Sequence, residues 1–181
     1  MEVKQIADDL PLTGSRITLT SLTEQDIGKL ESFFNDISSL IYYLPTTVRP
    51  FNRQQLYKLL SDWNDGETCF VFAVRSGDDL LGIVNIDDLD WTNSHAELGI
   101  ALTDREARGK GYALEALSLL CDYAFNELGL HRVWSRIIDG NEASMKLFTA
   151  AGFEIEGRMR SHIRRGGIWL DMTIWGLIRE A

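Results

Sequence analysis

Leu102-Thr-Asp-Arg-Glu-Ala-Arg-Gly-Lys-Gly-Tyr-Ala-Leu114 runs from the end of an apolar, strand-like stretch into an amphipathic one, and its reading decides the fold. Gly109 and Gly111 permit backbone conformations closed to other residues and let a ligand approach the main chain. A helix starting just after them would offer unpaired N–H groups and the positive end of its dipole, and Arg108 and Lys110 add positive charge. Together these features suit the phosphates of a ligand. A tight turn with solvated basic residues would use the same two glycines, so the surrounding chain has to decide.

Downstream, polar Glu115, Ser118, Asp122 and Asn126 recur at spacings of three and four. Leu114, Leu117, Cys121, Phe125 and Leu128 occupy the other face, which predicts a helix. Gly129 stands where a left-handed C-terminal cap is expected, and residues 130–138 read as the next strand. The loop therefore joins a strand to a helix. It is not a P-loop, because Gly111 is followed by Tyr112 and no Ser or Thr stands where magnesium would be held. Nor is it a dinucleotide fingerprint, because the third residue after Gly111 is Leu114.

What it resembles is the acetyl-CoA signature of the GNAT acyltransferases, Arg/Gln-x-x-Gly-x-Gly/Ala, matched by Arg108, Gly111 and Ala113. His95-Ala-Glu-Leu-Gly-Ile-Ala-Leu102 is similar to the family's fourth strand. Asn141-Glu-Ala-Ser-Met-Lys-Leu-Phe-Thr-Ala-Ala-Gly-Phe153 is similar to the segment after its fifth. The blocks keep the family's order and spacing over residues 80–178, while the first third of the chain is less diagnostic. The resemblance implies an α/β (α+β) fold with a mixed, mostly antiparallel sheet of about seven strands and flanking helices. In that fold the fourth and fifth strands run parallel and splay apart to admit a pantetheine arm.

Acetyl-CoA is the cosubstrate that the resemblance implies. Carried over, Arg108, Gly109, Lys110, Gly111, Tyr112 and Ala113 would surround its phosphates. Leu98, Gly99, Ile100 and Ala101 would lie beside the pantetheine and the acetyl carbonyl, and Asn141 would cap a helix and bond the cofactor arm. Glycine inside a strand marks a bulge or a close backbone approach, so a bulge is expected at Gly99. A backbone N–H there would polarise the thioester carbonyl. A glycine that only relieves packing is the alternative.

Acetylating an amine needs a neutral nitrogen, a stabilised oxyanion and a proton for the departing thiolate. Alkyl amines are mostly protonated at neutral pH, so a carboxylate must help. Glu97 is the candidate base, because the family often places an acid on this strand; alternation sets it opposite Ala96 and Leu98. A structural or substrate-anchoring carboxylate is the competing role. For the acid, many members carry a tyrosine where this chain has Phe148, which has no proton to give. The ribosomal-protein N-terminal (alanine/serine) acetyltransferases share the Asn-x-Ala-Ser segment, and their proposed acid is matched by Ser144. A helix-start hydroxyl making a local bond, and an Asn141 that only caps, are the plainer readings.

Composition agrees with a single domain over residues 1–181, 45% hydrophobic and 25% charged. No apolar run approaches the roughly 20 residues of a membrane span. Met1-Glu-Val-Lys-Gln-Ile-Ala-Asp-Asp9 lacks the regions of a signal peptide, so a cytoplasmic location is the default expectation. Cys69 and Cys121 read as reduced core residues, and no metal site is suggested. A formal net charge of −9 argues against nucleic acid and favours a cationic acceptor. Asp87, Asp88 and Asp90 read as a solvated turn between strands, whose carboxylates would attract a positively charged amine.

The expected element order is a strand at 16–21, helices at 23–34 and 52–63, a hairpin of 68–75 and 80–86, and a strand at 95–102. The long helix follows, then a strand at 131–138, a helix from Asn141 and closing strands near 153–160 and 169–178. His95 and His131 begin strands. His162 lies in the basic run 158–165, where polyamine acetyltransferases have an acid; a solvent-facing loop is its alternative. Residues 159–169 would form one wall of the acceptor site or a homodimer contact. Arg158, Arg160, Arg164 and Arg165 there would repel a polyamine. The expected acceptor is therefore a protein N-terminus, followed by a polyamine or other small amine, with a non-catalytic acyl-CoA-binding domain third.

Overall fold

The computed structural model describes residues 12–179. The N-terminal segment read for a signal peptide and the outermost residues of the expected 1–181 domain lie outside that range. In chain order the strands are β1 (Leu12–Thr13), β2 (Thr18–Thr20), β3 (Phe70–Ser76), β4 (Asp79–Asp90), β5 (His95–Leu102), β6 (Arg132–Ile138), β7 (Glu154–Arg165) and β8 (Ile168–Ile178). The helices are α1 (Glu24–Asn35), α2 (Ile37–Leu40), α3 (Arg53–Asp62), α4 (Tyr112–Asn126) and α5 (Glu142–Ala150). The strands form one sheet in the order β1-β2-β3-β4-β5-β6-β8-β7, antiparallel except for β5 against β6.

Local chemistry sets the helix starts. Asn52 accepts the Gln55 N–H at 2.9 Å, and the Gln55 side chain accepts the Asn52 N–H at 3.1 Å, a reciprocal capping box that opens α3. At α1, Asp26 accepts the Thr23 N–H at 2.7 Å and the Arg75 guanidinium at 2.5 Å. At 2% exposure a lone Asp26 carboxylate would be costly, and the arginine on β3 answers its charge.

Two apolar layers close on the sheet. Val84, Ile86, Leu98 and Val133 pack with Leu117 and Leu120 of α4 and Phe148 of α5 on one face. Ile83 and Ala101 pack with Leu30, Phe34 and Leu56 of α1 and α3 on the other. Each large side chain so buried is worth about 1.5–3 kcal/mol against solvent exposure. Glu97 thus sits opposite Ala96 and Leu98, as alternation requires, and faces the α1–α3 side.

Several expectations are corrected. Among the described residues the sheet has eight strands, because residues 12–13 add a short edge pairing to β2; the family's fourth and fifth strands are β5 and β6 here. The four-residue α2, opened by the Asp36 side chain accepting the Ser38 N–H, was not expected. The long helix ends at Asn126, with Gly129 beyond it at φ 67°. Its buried stripe is Ala116, Leu117, Leu120, Cys121 and Ala124, while Leu114, Phe125 and Leu128 are only partly covered. Cys69 is not a core residue but borders a cavity.

The acidic residues 87–90 are not a turn but the end of β4. The pairs Asp87↔Glu97 and Asp90↔His95 leave Asp88 and Leu89 opposite the single Ala96, so the bulge lies on β4, with Asp88 at φ 50°. Gly99 pairs in regular register with Asn85. The expected splay is present: β5 and β6 pair only through His95↔Arg132, Ala96↔Val133 and Glu97↔Trp134, although both strands run on.

Candidate active site

The glycine loop builds a main-chain cradle. Gly109 and Gly111 adopt φ 73° and 85°, and Gly111 is the N-cap of α4. The first intrahelical bond runs from the Glu115 N–H to Gly111 O, so the amides of Tyr112, Ala113 and Leu114 have no acceptor inside the helix. A Cβ at Gly109 would meet nothing within 4 Å. These features fit a phosphorylated ligand. Arg108 does not simply add charge: its guanidinium turns back and donates to Leu102 O at 2.9 and 3.1 Å, bracing the loop against β5.

Arg16, which sequence reasoning passed over, fills the loop's other side. It donates to Lys110 O at 2.8 Å and pairs with Glu115 at 2.9 Å, with its guanidinium 5.0 Å from the Tyr112 ring centroid. Glu115, on the polar stripe of α4, accepts from Arg16 and Ser15. The contact joins residues almost a hundred positions apart, and no local pattern announces it.

Where β5 and β6 separate lies a cavity of about 400 Å³. Leu98, Gly99 and Ile100 line one side and Ser135, Ile137 and Ile138 the other, which fits an extended, mostly apolar arm. Tyr42, Tyr43, Phe51 and Trp63 contribute an aromatic wall, and Asp87, Asp88 and Glu97 contribute carboxylates. Of the sequence-based site residues, Glu97, Leu98, Gly99, Ile100, Asn141 and Ser144 all border this cavity. Ala101 is buried under the α1–α3 layer, and residues 108–113 form the separate cradle at the start of α4.

Glu97 is not a free carboxylate. Arg136, on β6 beyond the last β5–β6 pair, grips it bidentately at 2.9 and 2.5 Å across the mouth of the splay. Asp87, directly opposite on β4, has a different set of partners. It accepts from the Asn85 amide, whose carbonyl in turn accepts from the Tyr43 hydroxyl at 3.3 Å. Burial, chiefly, and the Glu97 charge push Asp87 up to about 6. Burial also raises the Tyr43 phenol, so it stays a donor. Gly99 makes the arrangement possible: a Cβ there would stand 2.5 Å from the Asn85 side-chain oxygen. The glycine is explained by this close approach and not by the expected bulge.

The sequence reading passes over Asn85 and takes Asp87 only as part of an acidic turn that would attract an amine, not as a cavity residue. The signal was available: in 83–87, Ile-Val-Asn-Ile-Asp, the polar residues alternate with apolar ones, which continues the strand with both on one face.

On α5, Asn141 caps the helix by accepting the Ser144 N–H at 3.2 Å. Ser144 and Phe148, one turn apart, both reach the cavity, and Phe148 packs edge-on against Phe153 at 4.9 Å. A serine hydroxyl is therefore present where this wall carries no tyrosine.

The basic hairpin is largely committed. Arg158 binds Asp171 at 2.6 Å and Asp139 at 2.9 Å; Arg165 donates to Ile41 O at 2.9 Å and to Leu44 O. Arg165 thus ties residues 41–44, which roof the cavity, to the β7–β8 hairpin. Beyond Pro45 and Thr46 a second, open groove runs between Ile37, Ile41 and the hairpin residues His162, Arg164, Arg165 and Trp169. His162 is exposed there and does not border the main cavity.

Among the described residues, no cluster of ligating side chains could hold a metal ion and no helix is long and apolar enough to cross a membrane.

Residues 16–154 match the acetyltransferase (GNAT) domain family. YdaF of Bacillus subtilis, provisionally named a ribosomal N-acetyltransferase, is 30% identical over 157 residues, 87% of this chain and 80% of its own length. Spermidine N(1)-acetyltransferase of Vibrio cholerae is 25% identical over 160 residues, covering 87% and 90%. The crystal structure of spermidine N-acetyltransferase from Vibrio cholerae in complex with CoA and spermine superposes with a TM-score of 0.82 at 22% identity, over 91% of this chain and 96% of that one. The glycine cradle, the splayed strands and the family match lead to one conclusion: the chain belongs to the GNAT acetyltransferase family and is an acetyl-CoA-dependent N-acetyltransferase.

Proposed function

We propose that the acceptor is the N-terminal α-amine of a protein, delivered as an extended peptide. The observation that carries this reading is a pair of adjoining compartments of opposite charge. The inner cavity holds Asp87, Asp88 and Glu97 against one arginine, Arg136, which suits an ammonium. The outer groove, reached past Pro45 and Thr46, holds Arg164, Arg165 and His162, which suits a neutral or acidic continuation but opposes a second and third ammonium. The expectation that the hairpin arginines repel a polyamine therefore narrows to Arg164 and Arg165, since Asp139 and Asp171 offset Arg158 and Arg160 borders neither compartment.

In this reading residues 108–113 hold the CoA phosphates and residues 98–100 lie along its arm, while Ala101, buried under the α1–α3 layer, does not. Acetyl-CoA supplies an activated acetyl thioester. Asn141 sets the start of α5, Ser144 passes a proton to the departing sulfur, and Glu97, fixed by Arg136, anchors the amine.

A polyamine is the second reading, because relatives bearing that activity match most of the chain. A turnover screen separates them. With acetyl-CoA, peptides beginning with Ala, Ser or Thr should give higher kcat/KM than spermidine, more so with an acidic second or third residue. Spermidine far above every peptide would promote the polyamine reading. Failure of all amines to turn over, with CoA still bound, would leave a non-catalytic acyl-CoA-binding domain.

A further inference from the structure

Among the described residues the cavity holds three carboxylates, of which Glu97 alone is paired with a cation. Glu97 is already committed, since both its oxygens accept from the Arg136 guanidinium. Asp88 is exposed on the bulge, where water solvates it. Asp87 differs from both: it is partly buried, opens into the cavity, and accepts its hydrogen bond from the neutral Asn85 amide.

That amide is itself fixed. Asn85 is 5% exposed and lies over Gly99, where a larger residue would exclude it; its carbonyl receives the Tyr43 hydroxyl, so its NH2 must face Asp87. Tyr43 comes from the 41–44 segment that Arg165 holds to the hairpin.

Resting on the amine-acetylation reading, we propose that Asp87 removes the proton from the acceptor ammonium, with Asn85 and Tyr43 as positioning residues and Glu97 as an anchor. The charged and titratable groups facing Asp87 are Glu97 on β5, Asp88 on its own strand, Cys69 before β3, Tyr43 above and Arg136 on β6. The steps balance. Asp87 takes one proton from the ammonium and later releases it to solvent. The freed nitrogen pair forms the C–N bond and the C–S bond breaks. The second nitrogen proton reaches the thiolate through the Ser144 hydroxyl, which gives one proton and receives one. The net change is an amide, a thiol and one proton in solution.

The experiment is the pH profile of kcat/KM for the best amine found in the turnover screen; an enzyme that turns over no amine refutes the activity reading and not the assignment of the base. The wild type should lose activity below about pH 6, where Asp87 is pushed by burial and by Glu97. Asp87→Asn should lower kcat by roughly 10²–10⁴-fold and abolish that acidic limb, with CoA affinity by calorimetry unchanged. Asp87→Glu should recover part of the rate and a limb. Glu97→Gln should raise the acceptor KM and keep a limb, displaced to lower pH. Asn85→Leu and Tyr43→Phe should move the limb's midpoint, which a purely structural role would not do. A limb that survives Asp87→Asn, or vanishes in Glu97→Gln, overturns the proposal. Should Asp87→Asn fail to fold, an Asp87→Glu profile superimposable on the wild type in rate and midpoint overturns it equally.

Discussion

Asp87 and Glu97 stand directly opposite each other on β4 and β5, yet the arginine between the splayed strands is committed to Glu97 alone. Two like charges in one cavity raise the cost of ionising the second. Replacing Glu97 with Gln removes that repulsion and frees Arg136 to turn towards Asp87; both effects favour the charged Asp87. The acidic limb of kcat/KM should therefore fall by about one pH unit. A limb that stays in place or rises would show that the two carboxylates are not coupled.

Gly111→Val tests the cradle. Valine is strongly disfavoured at φ 85°, and its Cβ would stand 3.1 Å from the Arg16 guanidinium. The first turn of α4 must shift, taking its open amides with it. Titration calorimetry with CoA should show affinity reduced at least tenfold, about 1.4 kcal/mol. A folded variant with unchanged affinity would place the phosphates elsewhere.

Most of the fold could be read from residue patterns, because strand and helix periodicities are local: β5 spans residues 95–102 as expected, and Asn52 and Asn141 cap α3 and α5. The glycine cradle was legible for the same reason, since loop and helix start are neighbours in the chain. What could not be read depends on register. The Arg136–Glu97 clamp exists because β6 departs from β5 after Trp134, and Arg16 reaches Lys110 through the placement of β2 beside α4. Asp87 reads as a turn residue in the sequence because a bulge carries β4 past the point where its apolar alternation fades.

Ser144→Ala should lower kcat by tens- to thousands-fold while leaving CoA affinity intact, because the hydroxyl reaches the cavity but its backbone already carries the helix cap. Phe148→Tyr should retain turnover. Phe148 borders the same cavity one turn along α5, so a tyrosine hydroxyl that reached it would supply a second proton route. Full turnover in Ser144→Ala, under conditions where chemistry limits the rate, would assign thiolate protonation to water or another residue.

Asp87 also makes a prediction about stability. Burial and Glu97 lift its folded value to about 6 from an ordinary 3.8, so the native state holds this proton more tightly than the unfolded chain does. Between those values the native protein binds more protons, and its stability falls as pH rises through the window; above about 6 the cost is fully present. Asp87→Asn keeps the shape and a partner for the Asn85 amide but removes the charge. Its melting temperature should exceed the wild type by a few degrees at pH 7.5, with the gap closing below about pH 4. Asp26, whose pairing with Arg75 weakens in acid, affects both proteins alike and cancels in the difference. Differential scanning calorimetry across pH 3.5–8 reads the gap directly. A variant less stable than the wild type at neutral pH would mean that the Asp87 carboxylate is held in place by its partners more strongly than burial opposes it.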